Sequence, residues 1–373
     1  MFDLLLTGGT VIDPGQGIEG ILDIAVADGK VAALGADIPV SGAVRILNMA
    51  GSLVAPGLFD CHTHVYWGAT SIGAWPDTVC LPDGVTATVD GGSCGSDNFA
   101  GFKRWIVEAS RTRVFCYVHL SRIGLAGLQA VGELANPAYA DPKGTLKILR
   151  ENPEVAVGVK LRLSEEVMAG SCLPMLKVGR QVAGEAGKPL HVHIGNSVES
   201  MAEVLPLMAR GDMVTHYQTP KRNGLLDEKG LLLPQAREAR ARGVLFDCGH
   251  GRTHFSFEVA QRLLDQGFPP DTLSTDMSLT SYAELAPGLI TVMNRWLALG
   301  MSLAEVVRAV TSRPAELLGK GQEFGTLKPG MTADIAVLRW EEGEFQLADA
   351  VGGKRTLTRR LAPQLTIRAG QVV

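Results

Sequence analysis

Clustered basic charge, paired cysteines and long apolar runs are all missing from this sequence, and each absence closes off a class of function. Lysine and arginine total 35 against 39 aspartate and glutamate, a net charge of −4. Without a basic block there is no sequence-independent grip on nucleic acid. Cys61, Cys80, Cys94, Cys116, Cys172 and Cys248 are scattered and form no C-x-x-C pair. They read as small buried hydrophobes, reduced, in a cytoplasmic protein. No apolar stretch reaches the length of a membrane span. The opening segment, MFDLLLTGGTVIDPG, has neither the basic start nor the apolar run of a signal peptide. Aromatic residues are few, at 6%. The expected partner is a small molecule, with homo-oligomerisation left open.

What the chain does have is 44 glycines and 19 prolines, with no G-X-Y period or low-complexity tract to account for them. They imply many tight connections between short buried elements. A hydrophobic content of 46% over 373 residues supplies a large core. The length suits two or three domains, or one large α/β barrel with an attachment.

Both ends are β-rich. Segments 2–6, 10–12, 23–27 and 30–34 alternate with turns, and Asp28-Gly29 between apolar runs is a hairpin signal. Segments 334–338 and 365–369 look similar. The expectation is a small β-sandwich domain built from both termini, residues 1–54 and 320–373, around a central domain at 55–319. In the centre, apolar runs recur at 53–65, 85–91, 114–120, 155–163, 190–195, 213–218, 244–251 and 273–277. Helix-like stretches separate most of them, such as 175–185, 198–209, 257–266 and 282–299. This alternation predicts an α/β fold, a (β/α)8 TIM-like barrel. A doubly wound sheet would follow its first strand with a Gly-rich phosphate turn; here that strand ends in His-Thr-His.

All eight histidines lie between His62 and His254, most of them on or just after a predicted strand. In a barrel the strand C-termini form the active-site face. His62 and His64 flank one residue, so period-two geometry puts both imidazoles on one side, within reach of one metal ion. Lys160 sits inside an apolar run, where a buried ammonium is costly and the amine becomes reactive. His191 and His193 share a face, and spacing does not choose between them. His216 closes the sixth strand. Asp276 closes the eighth, where a carboxylate can bind metal, act as a general base or cap the next helix. Each residue alone has an ordinary structural explanation, such as a satisfied core histidine or a paired lysine. Their order along successive strands does not.

That order resembles the amidohydrolase superfamily, in its binuclear, carbamylated-lysine branch. Gly8-Gly9-Thr10-Val11-Ile12-Asp13, Val54-Ala55-Pro56-Gly57-Leu58-Phe59-Asp60 and Gly325-Thr326-Leu327-Lys328-Pro329-Gly330 resemble the family's opening and closing segments. The resemblance implies that His62, His64 and Asp276 hold one divalent ion and His193 and His216 a second. A carbamate formed on Lys160 from carbon dioxide bridges the two. The choice of His193 over His191 comes from the family pattern. The imidazole-rich donor set suits zinc. A hydroxide shared by the ions would attack an amide or ester carbonyl, with Asp276 carrying the proton to the leaving group.

Phe246-Asp247-Cys248-Gly249-His250-Gly251-Arg252 resembles a dihydroorotase-like subgroup whose members deacetylate small N-acyl or O-acyl carboxylic acids. Dihydroorotase-like members often place an arginine two residues after the H-x-H pair, where this chain has Tyr66. Arg162, His250 and Tyr117 are the candidate substrate contacts, with His119 and Arg122 as weaker ones. The alternative activity is a cyclic amidase or lactonase, dihydroorotase- or hydantoinase-like. A single-metal deaminase is disfavoured by Lys160, and a non-catalytic scaffold by the complete ligand set.

Overall fold

The computed structural model describes residues 1–127, 131–284 and 288–373. The first fifty-odd residues form β1 (Phe2–Asp13), β2 (Ile18–Ala27), β3 (Lys30–Gly35), β4 (Ala43–Asn48) and β5 (Leu53–Pro56). A second series follows: β6 (Leu58–Thr63), β7 (Val85–Asp90), β8 (Arg113–His119), β9 (Ala156–Arg162), β10 (Leu190–His193), β11 (Met213–Thr215) and β12 (Leu245–Asp247). The chain ends with β13 (Ile335–Ala348), β14 (Lys354–Arg368) and β15 (Gln371–Val372).

The two termini build one eight-stranded sheet in the order β15-β14-β13-β5-β1-β2-β3, with β4 also on β1. A register break between Leu6 and Gly9 divides β1. Its first half pairs with β4, and Thr10 and Val11 pair with β5. The sheet closes over its own apolar face, a core that includes Leu4, Leu6, Val11, Ile24, Ile335 and Ile367. The β13–β14 pair is far longer than the short runs seen in the sequence, because outward polar residues mask its alternation.

The apolar run at 53–65 is two strands, not one. It divides at Gly57, where a Cβ would lie 2.3 Å from Thr86 Oγ1 and 2.9 Å from Asp334 Cβ. β5 joins the terminal sheet and β6 opens the barrel.

The barrel wall is the parallel sheet β6 to β12, every strand pairing with the next. Parallel strands covered on both faces read as continuous apolar runs, which is why the sequence displays them clearly. The eighth wall segment, 272–277, is not a regular strand. It closes the barrel through single bridges, Thr272 with Asp247 and Met277 with Thr63. Near its end Asp276 turns left-handed, at φ +52°. Phe59, Phe115 and Phe324 fill the end of the barrel away from the strand C-termini, with Phe115 and Phe324 stacked at 6.2 Å.

Of the predicted helices, Leu173–Ala186 and Phe257–Asp265 form as expected. The stretch 198–209 is α-helical only over Met201–Val204 and tightens to 3-10 at Leu205–Leu207, where Pro206 removes a backbone donor. The stretch 282–299 holds the end of Leu279–Glu284 and the helix Leu289–Ala298; its residues 285–287 lie outside the described residues. All six cysteines are buried and unbridged. Among the described residues no helix is long and apolar enough to cross a membrane.

Candidate metal centre

The C-terminal ends of the barrel strands converge on an open cleft. His64, Lys160, His193 and Asp276 reach it from four different wall segments. Asp276 Oδ1 lies 3.1 Å from His64 Nε2 and 3.4 Å from His62 Nε2. Lys160 Nζ lies 3.3 Å from His62 Nε2. His193 Nδ1 and His216 Nε2 are 2.8 Å apart. The six residues expected as ligands therefore do come together, although they span more than two hundred positions of the chain.

Three of the rings are aimed by a partner on the far side. His62 Nδ1 bonds Thr215 Oγ1 at 3.0 Å, and that hydroxyl donates to Asp247 Oδ2 at 2.7 Å. Asp247 also accepts from Thr272 and Ser274. His64 Nδ1 bonds Ser93 Oγ at 2.9 Å, and His216 Nδ1 bonds the Gly249 carbonyl. All three rings thus keep Nε2 toward the centre, the arrangement that fixes metal-ligating imidazoles. His216 and Asp276 both hold positive φ, +67° and +52°. Such strain in non-glycine residues persists where the surroundings impose it and concentrates at functional sites.

Burial is the main reason that His62, His193 and His216 sit well below the ordinary imidazole pKa, with neighbouring cationic groups adding to it. They are neutral, as ligation requires. Burial also brings the Lys160 ammonium down to about 8. A neutral amine is the form that adds carbon dioxide.

The close approach of Gly91 and Gly92 makes room for these groups. A Cβ on Gly91 would lie 2.4 Å from His62 Cδ2, and one on Gly92 would lie 2.5 Å from Lys160 Cβ. Gly91→Ala is therefore expected to displace His62 and lower kcat/KM on the order of 100-fold. Metal content measured on the same sample should fall with it; an unaltered protein would show that the His62 ring has slack.

The candidate substrate contacts divide. Arg162 lines the cleft; its Nη1 donates to Glu133 Oε1 at 3.1 Å, and its buried Nε–H has no partner. Glu133 in turn accepts from His119 Nε2 at 2.8 Å, and His119 Nδ1 accepts from the Ser121 amide. Burial alone would raise the Glu133 carboxyl, but His119 and Arg162 hold it below its ordinary value.

Tyr117 does not line the cleft. It lies two residues below His119 on the same face of β8, roughly 6.6 Å deeper in the barrel. There it stacks on His191 at 4.5 Å. His250 is also turned away. Gly249 and Gly251 on either side of it are both left-handed, and its ring stacks on Phe255 at 4.6 Å, fully buried. Arg122 is exposed and pairs with Asp97. His191 lies below His193 with Nδ1 3.3 Å from Lys160 Nζ. Glu133 and His254, which the sequence reading passed over, do line the cleft. Glu133 carries no motif that could have marked it. His254 was visible only as one more histidine after the seventh strand.

A barrel closed by this set of imidazoles, lysine and carboxylate, with a β domain from both termini, defines a hydrolase of the amidohydrolase class. The chain belongs to the amidohydrolase superfamily. The Amidohydrolase family profile matches residues 240–373. The chain is 31% identical to a deacetylase of Agrobacterium fabrum, over 99% of this chain and 91% of that protein. It is 32% identical to a deacetylase of Enterococcus faecalis, over 97% of this chain and 98% of that one. Two crystal structures share the fold closely. One is of an adenine deaminase, with a TM-score of 0.92 and 30% identity over the whole of both chains. The other is of a dihydroorotase, with a TM-score of 0.90 and 31% identity over 99% of this chain and 98% of that one.

Proposed function

We propose that this chain is a binuclear zinc deacetylase that cleaves the amide or ester bond of a small N-acyl or O-acyl carboxylic acid. The observation that carries the substrate class is Arg162. One nitrogen of its guanidinium is held by Glu133, and the side chain, 26% exposed, lines the cleft. A guanidinium at the cleft wall pairs with a substrate carboxylate through charge-assisted hydrogen bonds. The full-length similarity to two deacetylases supports the same reading.

The donor set fits two divalent ions: neutral imidazoles already aimed inward, a carboxylate between two of them and a lysine with a lowered pKa. His193 turns Nδ1 to within 2.8 Å of His216 Nε2, so these two nitrogens face the same place. His62, His64 and Asp276 would hold one ion, His193 and His216 the other, with Lys160 as its carbamate between them. Such ions, when bound, acidify the attacking water and polarise the scissile carbonyl. The chain's own groups do the rest. Arg162, braced by Glu133 and His119, orients the acid. Asp276 takes a proton from the attacking water at its carboxylate and delivers it to the departing nitrogen or oxygen. Ile72 and Leu125 supply apolar wall.

Tyr66 argues against a dihydroorotase-like pose. Its Oη is engaged with the Asn98 carbonyl at 2.9 Å, and its ring is buried. The six buried, unbridged thiols fit a reducing cytoplasm.

The deciding experiment offers metal-loaded protein N-acetyl amino acids, acetylated hydroxy acids, dihydroorotate and hydantoins. Acetate release from the acyclic acids is expected. Ring opening of the cyclic substrates without acetate release would establish the cyclic amidase instead. Arg162→Met should raise KM for the carboxylated substrate about 10- to 150-fold, the equivalent of 1.5–3 kcal/mol for a charged hydrogen bond. Its kcat should change less. An unchanged KM would remove Arg162 from recognition.

A further inference from the structure

Lys221 stands at the mouth of the barrel, in the loop after β11, without an acid to balance it. The loops after β9, β10 and β11 are tied together there. The Glu165 amide donates to the Asn196 carbonyl at 3.0 Å, and the Asn196 amide to the Arg222 carbonyl at 3.3 Å. Arg222 also pairs with Glu165. Lys221 lies beside the end of β10, its stem across Gly195, where a Cβ would lie 3.3 Å from Lys221 Cδ. Gly195 is two residues past His193, and His193 is the register partner of Arg162 on β9.

Among the described residues Lys221 Nζ has no carboxylate within ion-pair distance. It donates instead to His254 Nε2, at 3.3 Å. An ammonium can only donate, so Nε2 carries the lone pair and Nδ1 the proton, which faces Thr219 Oγ1 at 3.4 Å. His254 lines the cleft, and its ring is fixed by stacking on His216 at 4.0 Å. It aims the ammonium but, being neutral, leaves its charge unbalanced. Burial is the main reason that Lys221 sits below its ordinary pKa, and the nearby Arg162 guanidinium adds to the effect; Glu166 and Asp276 oppose it. Glu166 is exposed and accepts from Asn196 Nδ2 at 2.9 Å, while Asp276 belongs to the metal centre. Arg162 is balanced by Glu133. A half-buried cation without a counter-ion is costly, and two like charges near each other with no acid between them leave a place for an anion. One carboxylate there makes the whole group of Arg162, Glu133, Lys221 and anion neutral.

We infer that Lys221 is a second clamp on the substrate acid: one carboxylate sits between the Arg162 guanidinium and the Lys221 ammonium, and His254 is the positioning residue that aims the ammonium. The inference rests on the deacetylase reading above and deepens it. It makes the carboxylate a requirement of the substrate. A neutral group in its place would leave the ammonium facing only a neutral ring.

The test compares N-acetyl amino acids with uncharged side chains against their primary amides, by acetate release. It uses metal-loaded wild type, Lys221→Met, Lys221→Arg, Arg162→Met and the Arg162→Met/Lys221→Met double variant. Wild type should favour the acid in kcat/KM. Lys221→Met should lower that preference about 10- to 100-fold, chiefly through KM, and Lys221→Arg should keep most of it. The double variant should lose less than the product of the two single losses, because both cations hold the same carboxylate. His254→Gln, which keeps an acceptor for the ammonium, should preserve the preference better than His254→Leu. An unchanged acid preference in Lys221→Met would overturn the inference and leave the deacetylase reading standing. Single losses that multiply in full would place Lys221 on a separate group and overturn the shared clamp. Wild type that releases acetate from no acyl acid would overturn the deacetylase reading itself, and this inference with it.

Discussion

Asp276→Asn is expected to lower kcat on the order of 10⁴-fold while both ions remain bound. The carboxylate lies within 3.4 Å of both His62 Nε2 and His64 Nε2, so its first duty is to share their ion. An amide oxygen at the same place can still ligate, but it cannot accept and carry a proton. Metal retention and turnover should therefore separate in this variant. The backbone favours such a clean result, because Asp276 is held at φ +52°, a conformation that asparagine adopts readily. Steady-state kcat and zinc content measured on one preparation decide it. If kcat stays within tenfold of wild type, Asp276 is not the proton carrier. If zinc is lost in step with activity, its role is ligation alone.

Lys160→Ala should empty the centre and reduce kcat/KM at least about 10³-fold, roughly 4 kcal/mol of lost transition-state stabilisation. Lys160 is 3% exposed, and its Nζ lies 3.3 Å from both His62 Nε2 and His191 Nδ1. Its alkyl stem packs against Gly92, where a Cβ would come within 2.5 Å. Truncation leaves a space the length of that stem, reaching to where a bridging carboxylate would sit. A short carboxylic acid such as acetate or propionate should occupy it and restore both metal and activity. A Lys160→Ala protein with two firmly bound ions and full turnover would eliminate the bridging role.

The barrel wall and its ligand order were legible in sequence because both obey short-range rules. A strand buried on both faces shows as an apolar run whatever its neighbours are. Two residues two apart share a face, which makes His62 and His64 a pair before any fold is known. The glycines that let the backbone press against His62 and Lys160 were legible only as composition, since the partner of each close approach lies on another strand.

Depth and loop course were not legible. Alternation assigns Tyr117 and His119 to one face, but it does not say which of them stands at the mouth and which beneath the centre. The turn through Gly249 and Gly251 sends His250 into the packing around Phe255, and the chain then returns His254 to the cleft. Glu133 arrives from a connection with no periodicity and becomes the brace of Arg162. The sequence by itself determined the class of fold, the catalytic end of the barrel and the residue types that meet there, because strand period and burial are local properties. Only the tertiary structure decided which side chains reach the cleft and which nitrogen each ring presents, because those depend on contacts between segments far apart in the chain.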